Sequence, residues 1–600
     1  MQALILAAGM GSRLHKYTSE VPKCLVEVNG QTLLDRTIEA LRVAGVTKLV
    51  IVTGYKAEVL EEHIKSHVVD MDVKFINNED YSTTNNIYSL YLARDVLVAD
   101  DTILLESDLI FEKDLLRQIT LTPYDAVAAV AKYEPWMDGT VTTLDESGWI
   151  TAFVEKKDFD ANSSDSYYKT VNIYKFSKGF SEDKLVPFLN AFIRAYGKNE
   201  YYELVLKLIA ETSSSEIRSF IVDGDWYEID NPQDLDVASV MFSPNKDKLS
   251  LMNRRYGGYW RFPGLIDFCY LVNPYFPPAS MLDQFNQYFP ALLTQYPSGM
   301  SVQAFAAANV FQVEEDEIVV GNGAAELINS LKSIVSGKVS LPIPAFNEYI
   351  RCFPHCEIMQ IDSSISGYRL EVDSILNAAK ESDWLILVNP DNPSGAFLEK
   401  GELFQILDYC KTHDKYVVVD ESFMDFAQKD KRFTCIDSTT LHRYPNLIVI
   451  KSISKSYGVP GLRLGVLATA NKDIISWIRQ SLSVWNINSF GEFFLQIAPR
   501  YERIFEDACD RIVREREWVF RELSKLGWLE PYESQANYIM CRITEGMTAT
   551  ALAQKLVNDY GLYIKDLTGK LGFNDERHFR IAVRDRADNE TLIRALRQIG

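Results

Sequence analysis

Ser452-Ile-Ser-Lys455-Ser-Tyr-Gly-Val-Pro-Gly-Leu-Arg463-Leu-Gly465 sets a lysine three residues after one serine, with an arginine eight residues further on. That spacing suits a lysine that binds pyridoxal 5′-phosphate covalently while Ser452 and Arg463 hold the cofactor's phosphate. A second motif, Leu6-Ala7-Ala8-Gly9-Met-Gly11-Ser12-Arg13, opens the chain far upstream and has the look of a nucleotide loop. Two unrelated chemistries share one polypeptide.

The 600 residues exceed what one core accommodates, since single cores stop growing near about 250–300 residues. A net charge of −21 excludes nucleic acid as a partner, because binding its phosphates needs a basic surface. Of the eight cysteines only Cys352 and Cys356 lie close together, and no suitably spaced histidines complete a zinc site, so buried free thiols are expected. There is neither a basic leader nor an apolar run of about 18 residues, so the expectation is a cytoplasmic protein with no membrane contact.

The fold class is α/β in both halves. Residues 1–242 alternate short apolar strands (3–8, 49–53, 73–76, 102–105) with helical periodicity at Leu34, Ile38, Leu41 and Ala44, which predicts a Rossmann-like, mostly parallel sheet. Polar Ser243-Pro-Asn-Lys-Asp-Lys248 breaks the pattern, and residues 243–261 are expected as a linker. A second α/β series fills 262–600, with strands near 317–320, 384–388, 416–420 and 447–451. A small α/β segment follows from about residue 518.

Gly9 and Gly11 follow a strand, so backbone amides in the turn can cradle a triphosphate, with Arg13 adding charge. Asp108 directly follows the strand at 102–105, and Trp226-Tyr-Glu-Ile-Asp230 comes much later. Two such carboxylates can grip one Mg²⁺ against phosphate oxygens. As a set, Ala7 to Arg13, Pro22-Lys23, Thr84-Asn85-Asn86-Ile-Tyr-Ser-Leu90, Asp108, Trp136-Met-Asp138-Gly139, Asn172 and Asp230 resemble the phosphocholine cytidylyltransferase branch of the sugar-phosphate-type nucleotidyltransferases. The resemblance implies CTP as donor and Asp108 and Asp230 as metal ligands. It places Lys23 on the phosphates, gives Ala7, Ala8, Gly9, Gly11, Ser12 and Arg13 to the nucleotide pocket, and gives Asn85 and Asn86 to the nucleotide or acceptor pocket. Tyr133, Trp136 and Asp138, with Asn172, can surround an acceptor's cationic amine, or the aromatics simply pack beneath a loop.

In the second half, Gly321-Asn-Gly323-Ala324-Ala325-Glu326 can present amides to a cofactor phosphate. Phe346 can stack on a pyridine ring, Asn392 can bond its oxygen, and Asp420 can pair with its nitrogen. In the order Gly323, Asn392, Asp420, Lys455, Arg463 and Arg580, residues 262–600 resemble fold-type I pyridoxal-phosphate-dependent aminotransferases, with a large and a small domain. The resemblance implies that Arg580 clamps a substrate carboxylate and that Tyr296 reaches a neighbouring subunit's cofactor, hence a homodimer. Arg584 reads either as a second anion site or as a surface ion pair. Asp420-Glu-Ser-Phe423 carries Phe where most relatives have tyrosine, as in the histidinol-phosphate aminotransferase and threonine-phosphate decarboxylase group, which leaves transamination and decarboxylation both open.

The fusion resembles a phosphonate-pathway pairing of a 2-aminoethylphosphonate cytidylyltransferase with a 2-aminoethylphosphonate transaminase that takes an amino donor. The alternative is a phosphocholine or phosphoethanolamine cytidylyltransferase joined to a phospho-amino-acid decarboxylase or histidinol-phosphate-type aminotransferase. A cofactor-sensing regulator would need a DNA-binding helix-turn-helix in place of a metal-nucleotide site.

Overall fold

The computed structural model describes residues 1–213 and 215–600. They divide into two compact units, Met1–Pro263 and Gly264–Gly600. None of the described helices is long and apolar enough to cross a membrane.

In the first unit the strand Gln2–Leu6 lies inside a nine-stranded sheet, parallel to Lys48–Thr53 on one side and Thr102–Glu106 on the other. Ala3 and Ile5 enter one core while Leu4 and Leu6 enter the other. Both faces are covered, so Ala3–Leu6 is an unbroken apolar run rather than an alternating one. Asp72–Asn77 extends the parallel part. Beyond Thr102–Glu106 the sheet departs from the mostly parallel expectation. Tyr168–Phe176 runs antiparallel to Thr102–Glu106 and to Ala126–Lys132, and Val141–Leu144 pairs antiparallel with Ile150–Val154. The turn between those last two strands is too short for the crossover that a parallel neighbour requires.

One short pairing builds the first site. Trp226–Glu228 runs antiparallel to Leu109–Phe111, with Glu228 opposite Leu109, and the Ile229 amide donates to the Asp108 carbonyl at 2.9 Å. Carboxylates more than a hundred residues apart thereby meet at one edge.

The segment 243–261 is ordered structure within the first unit rather than a bare linker. It holds the helix Asn245–Arg255 and the turn Tyr259–Arg261, and it buries Leu249, Met252 and Tyr259. Arg261 bonds the carboxylate of Asp234 at 2.5 Å and the hydroxyl of Tyr227 at 2.9 Å. Residues 244–247 are exposed at the start of the helix, so their polar composition concealed the apolar positions that follow.

The second unit is built on a seven-stranded sheet in the order Ile318–Asn322, Leu464–Ala468, Leu447–Ser452, Tyr416–Asp420, Trp384–Val388, Lys338–Ile343, Glu357–Asp362. Leu464–Ala468 runs antiparallel to both neighbours, and the remaining pairs are parallel. A four-stranded antiparallel sheet, Leu529–Pro531, Tyr538–Ile543, His578–Ala582 and Lys565–Asp566, forms the smaller part. Asn389, Asp420 and Lys455 all follow or end parallel strands at their carboxyl ends, where open α/β sheets place ligands.

Candidate functional sites

Gly11, at φ +58°, turns the chain out of the first strand, and a Cβ there would stand 3.1 Å from the Cβ of Lys23. This close approach brings Lys23 to the carboxylates: its Nζ lies 2.6 Å from Asp108 Oδ2 and 2.7 Å from Asp230 Oδ1, while Arg13 reaches Asp230 at 2.8 Å. Burial alone would lower the Lys23 pKa, but Asp108 and Asp230 outweigh it and raise it. Glu228 joins them. One oxygen each of Asp108, Glu228 and Asp230 lies within 4.8 Å of the others, and Asp108 Oδ1 is buried without a partner among the described residues. Three hard oxygen donors and an orphaned carboxylate oxygen fit a magnesium ion. Burial raises the Glu228 carboxyl, Asp108 and Asp230 add to that, and Lys169 and Lys23 oppose it. Lys169, 2% exposed, stands 3.2 Å from Glu228, and the Asn172 amide donates to Glu228 at 3.3 Å. Glu228 and Lys169 were not singled out from the sequence. The signal for Glu228 was its place two residues before Asp230 on a strand.

A cavity of about 940 Å³ spans this edge. Ala8, Gly9, Gly11, Ser12, Arg13 and Lys23 line it, as do Asn85, Asn86, Asp108, Asp138 and Asn172. Ala7 is instead buried, its amide bonded to the Val52 carbonyl. Of the four residues expected around an amine, Asn172 lines the larger cavity, and the other three go different ways. Trp136 stacks on Tyr227 at 4.8 Å, donates to Glu134, and lines an adjoining cavity of about 530 Å³. Asp138 is paired with Lys156 at 3.1 Å, which lowers its pKa. Tyr133 packs against Phe159 at 5.2 Å.

In the second unit Asp420 is buried at its strand end, accepting from the Tyr349 hydroxyl and the Ser422 amide at 2.9 Å each. Lys455, in the single turn Ile453–Ser456 after the strand Leu447–Ser452, points its Nζ over the Phe423 ring at 5.2 Å. Burial lowers its pKa, and the positive Arg580 and Arg463 add to this against Asp420. Ser452 is buried, its amide bonded to the Ser422 hydroxyl. Gly323, at φ +81°, leaves the space where a Cβ would stand 2.7 Å from Arg463 Nη2, just before the helix Ala324–Ser330 that carries Ala324 and Ala325. Arg580 donates to Asn392 Oδ1 at 2.7 Å and to the Cys269 carbonyl at 2.8 Å, and its buried Nε has no partner among the described residues. Phe346 meets Tyr349 edge-on at 6.3 Å. This donor set and the bare glycine cradle fit pyridoxal phosphate, for which Asp420 would hold the ring nitrogen, Asn392 the ring oxygen, and Ser452 and Arg463 the phosphate.

Arg584 is bonded to Asp588 at 2.7 Å and to the Asp267 carbonyl at 3.1 Å. Tyr296 is 78% exposed and stacks on Trp485 at 4.5 Å. Lys570 escaped the sequence reading because only the fold brings its loop beside Arg580. Burial, with Arg580 and Lys565 nearby, lowers its pKa to about 8.

The fold and the two sites define a bifunctional enzyme, a nucleotidyltransferase joined to a pyridoxal-phosphate-dependent enzyme. The family model of aminotransferase class I and II matches residues 290–596, and that of the MobA-like NTP transferase domain matches residues 3–148. The chain is 32% identical over 605 aligned residues to CMP-5′-(3-aminopropyl)phosphonate synthase of Streptomyces rubellomurinus, covering 100% of this chain and 95% of that protein. L-serine phosphate decarboxylase of Sulfurospirillum multivorans is 31% identical, over 56% of this chain and 90% of its own length. Among solved structures, a decarboxylase from Sulfurospirillum multivorans superposes with a TM-score of 0.52 at 29% identity, over 57% of this chain and 90% of that one. The chain belongs to the aminotransferase class I and II family, a membership that implies pyridoxal phosphate.

Proposed function

We propose that the first unit transfers CMP from CTP to a phosphonate oxygen of a small aminoalkylphosphonate, releasing pyrophosphate. In this reading the second unit removes the carboxyl group of a phosphonate-bearing amino acid. One observation carries it: similarity along the whole chain to a protein named for making a CMP-aminoalkylphosphonate. The decarboxylase relatives of the second unit favour loss of carbon dioxide over amine exchange. Asp108, Glu228 and Asp230 would hold Mg²⁺, and Lys23 and Arg13 would neutralise the phosphates, so catalysis in this unit is mainly positioning and charge compensation.

In the second unit, bound pyridoxal phosphate supplies the electron sink for bonds broken at the substrate's α-carbon. Lys455, its ammonium disfavoured by burial, can accept or return a proton near the Phe423 ring. Arg580, Lys570 and Lys565 form a cationic group suited to a phosphonate dianion. The exposed apolar residues Leu282, Tyr288, Phe289, Leu293, Tyr296 and Trp485 are read as a homodimer face.

An acceptor panel with CTP and Mg²⁺, read as pyrophosphate release, tests the first half. Pyrophosphate with phosphocholine or phosphoethanolamine but not with aminoalkylphosphonates would replace phosphonate by phosphate ester. Carbon dioxide from an amino-phosphono acid tests the second half. Phosphonoacetaldehyde formed from 2-aminoethylphosphonate and a keto acid would instead establish the transaminase reading.

A further inference from the structure

Glu203 opens the helix Glu203–Thr212, is 7% exposed and lines the 940 Å³ cavity, yet its Oε2 has no hydrogen-bond partner among the described residues. Glu106 lines the same cavity from the end of its strand. Asn86 ties the two walls together, donating to Glu106 Oε1 at 3.1 Å and accepting from the Tyr202 amide at 3.0 Å. A carboxylate oxygen taken from water without a donor is costly, and a ligand that brings the donor recovers that cost. The cavity's own lysines are committed elsewhere. Lys23 holds Asp108 and Asp230, Lys156 holds Asp138, Lys157 and Lys207 hold Glu155, and Lys169 holds Glu228.

We propose that Glu203, together with Glu106, receives the ammonium group of the acceptor and so selects aminoalkylphosphonates over plain alkylphosphonates. The inference rests on the acceptor class assigned above and names the residues that read it. Glu106 precedes Asp108 by two residues, so their Cα atoms are at most about 7 Å apart. An amine and a phosphorus joined through two or three carbons are separated by three or four single bonds, reaching about 5 Å. A phosphonate at the Asp108 edge and an ammonium at Glu106 and Glu203 therefore fit together. Asp138 offers a cation less, being 61% exposed and already paired.

The test uses the full-length enzyme and Glu203→Gln, which keeps shape and removes charge. Wild type should prefer 2-aminoethylphosphonate to ethylphosphonate in kcat/KM. The variant should raise the KM for the amine about tenfold or more, narrow that preference, and leave the KM for CTP within about twofold. A rise in the KM for CTP instead would assign the pair to the cytosine amino group and overturn the proposal. An equal loss on both acceptors would make Glu203 a structural residue and overturn it too. If wild type releases no pyrophosphate with any aminoalkylphosphonate, the functional reading fails by itself. Calorimetric titration of both phosphonates into both proteins then decides: amine-specific weakening in the variant supports the ammonium site, and equal binding overturns it.

Discussion

Lys23 lies between Asp108 and Asp230 within hydrogen-bonding distance of each, so the carboxylates that would hold a cation are bridged by an ammonium. Asp108→Ala should therefore cut pyrophosphate release by about a thousandfold or more, because a metal's charge stabilisation is worth several kcal/mol and each 1.36 kcal/mol is tenfold. Near-normal release would remove Asp108 from the metal site. Lys455→Ala should lose the visible absorbance of covalently bound pyridoxal phosphate and all chemistry at the substrate α-carbon. A retained band would place the covalent link on another lysine. Lys570 gives a pH signature. Its native pKa near 8 lies below that of an unfolded lysine, so the unfolded chain binds more protons between about 8 and 10.4. The stability cost of charging it is full below pH 8 and fades as pH rises through that window. Binding of an anionic substrate needs the charged form and should show the reverse trend. The KM of the second half should climb as pH passes about 8, and Lys570→Met should raise KM at neutral pH and flatten that climb. An unchanged profile in Lys570→Met would exclude Lys570 from substrate binding.

At the scale of elements, the segment 243–263 completes the first unit. Its buried Leu249, Met252 and Phe262 each remove a large apolar side chain from water, worth about 1.5–3 kcal/mol apiece as an upper estimate. Arg261 adds a bond to Asp234, whose other oxygen accepts from the Asp230 and Asn231 amides. A fragment ending at residue 242 should be less stable to urea than one ending at 263 by about 3 kcal/mol or more, and should bind nucleotide more weakly. Equal stability would reduce the segment to a passive tether. The long parallel strands are legible in the sequence because their unbroken apolar runs can be buried only in a covered sheet. Residues 126–176 are not, because their antiparallel pairing depends on distant partners, nor are 243–261, where a polar helix start masks buried positions.

For the whole molecule, each unit has apolar cores made, among the described residues, of its own side chains. Lys455→Ala should leave CMP transfer within about twofold of wild type, and Asp108→Ala should do the same for the cofactor half. Loss of both activities in either variant would reveal coupling between the halves. Sedimentation should give twice the 68.4 kDa chain mass. Tyr296→Asp with Leu293→Asp should shift it toward one chain, since charges within a buried apolar contact are costly.

What the amino-acid sequence determined by itself is local. The glycine turn after a strand, the lysine spaced between serine and arginine, and the carboxylates closing Thr102–Leu105 and Tyr416–Asp420 each need only neighbours along the chain. These were enough to identify two chemistries and both α/β classes. The tertiary structure alone decided which distant groups share a cavity. Glu228 enters the carboxylate cluster through a two-strand pairing, Glu203 faces the same space from a remote helix, and Lys570 reaches Arg580 from a loop. Arg261 arrives from a segment with no motif, and Arg584 is bonded to Asp588. Such placements depend on register and packing between segments far apart in sequence, and no local spacing encodes them.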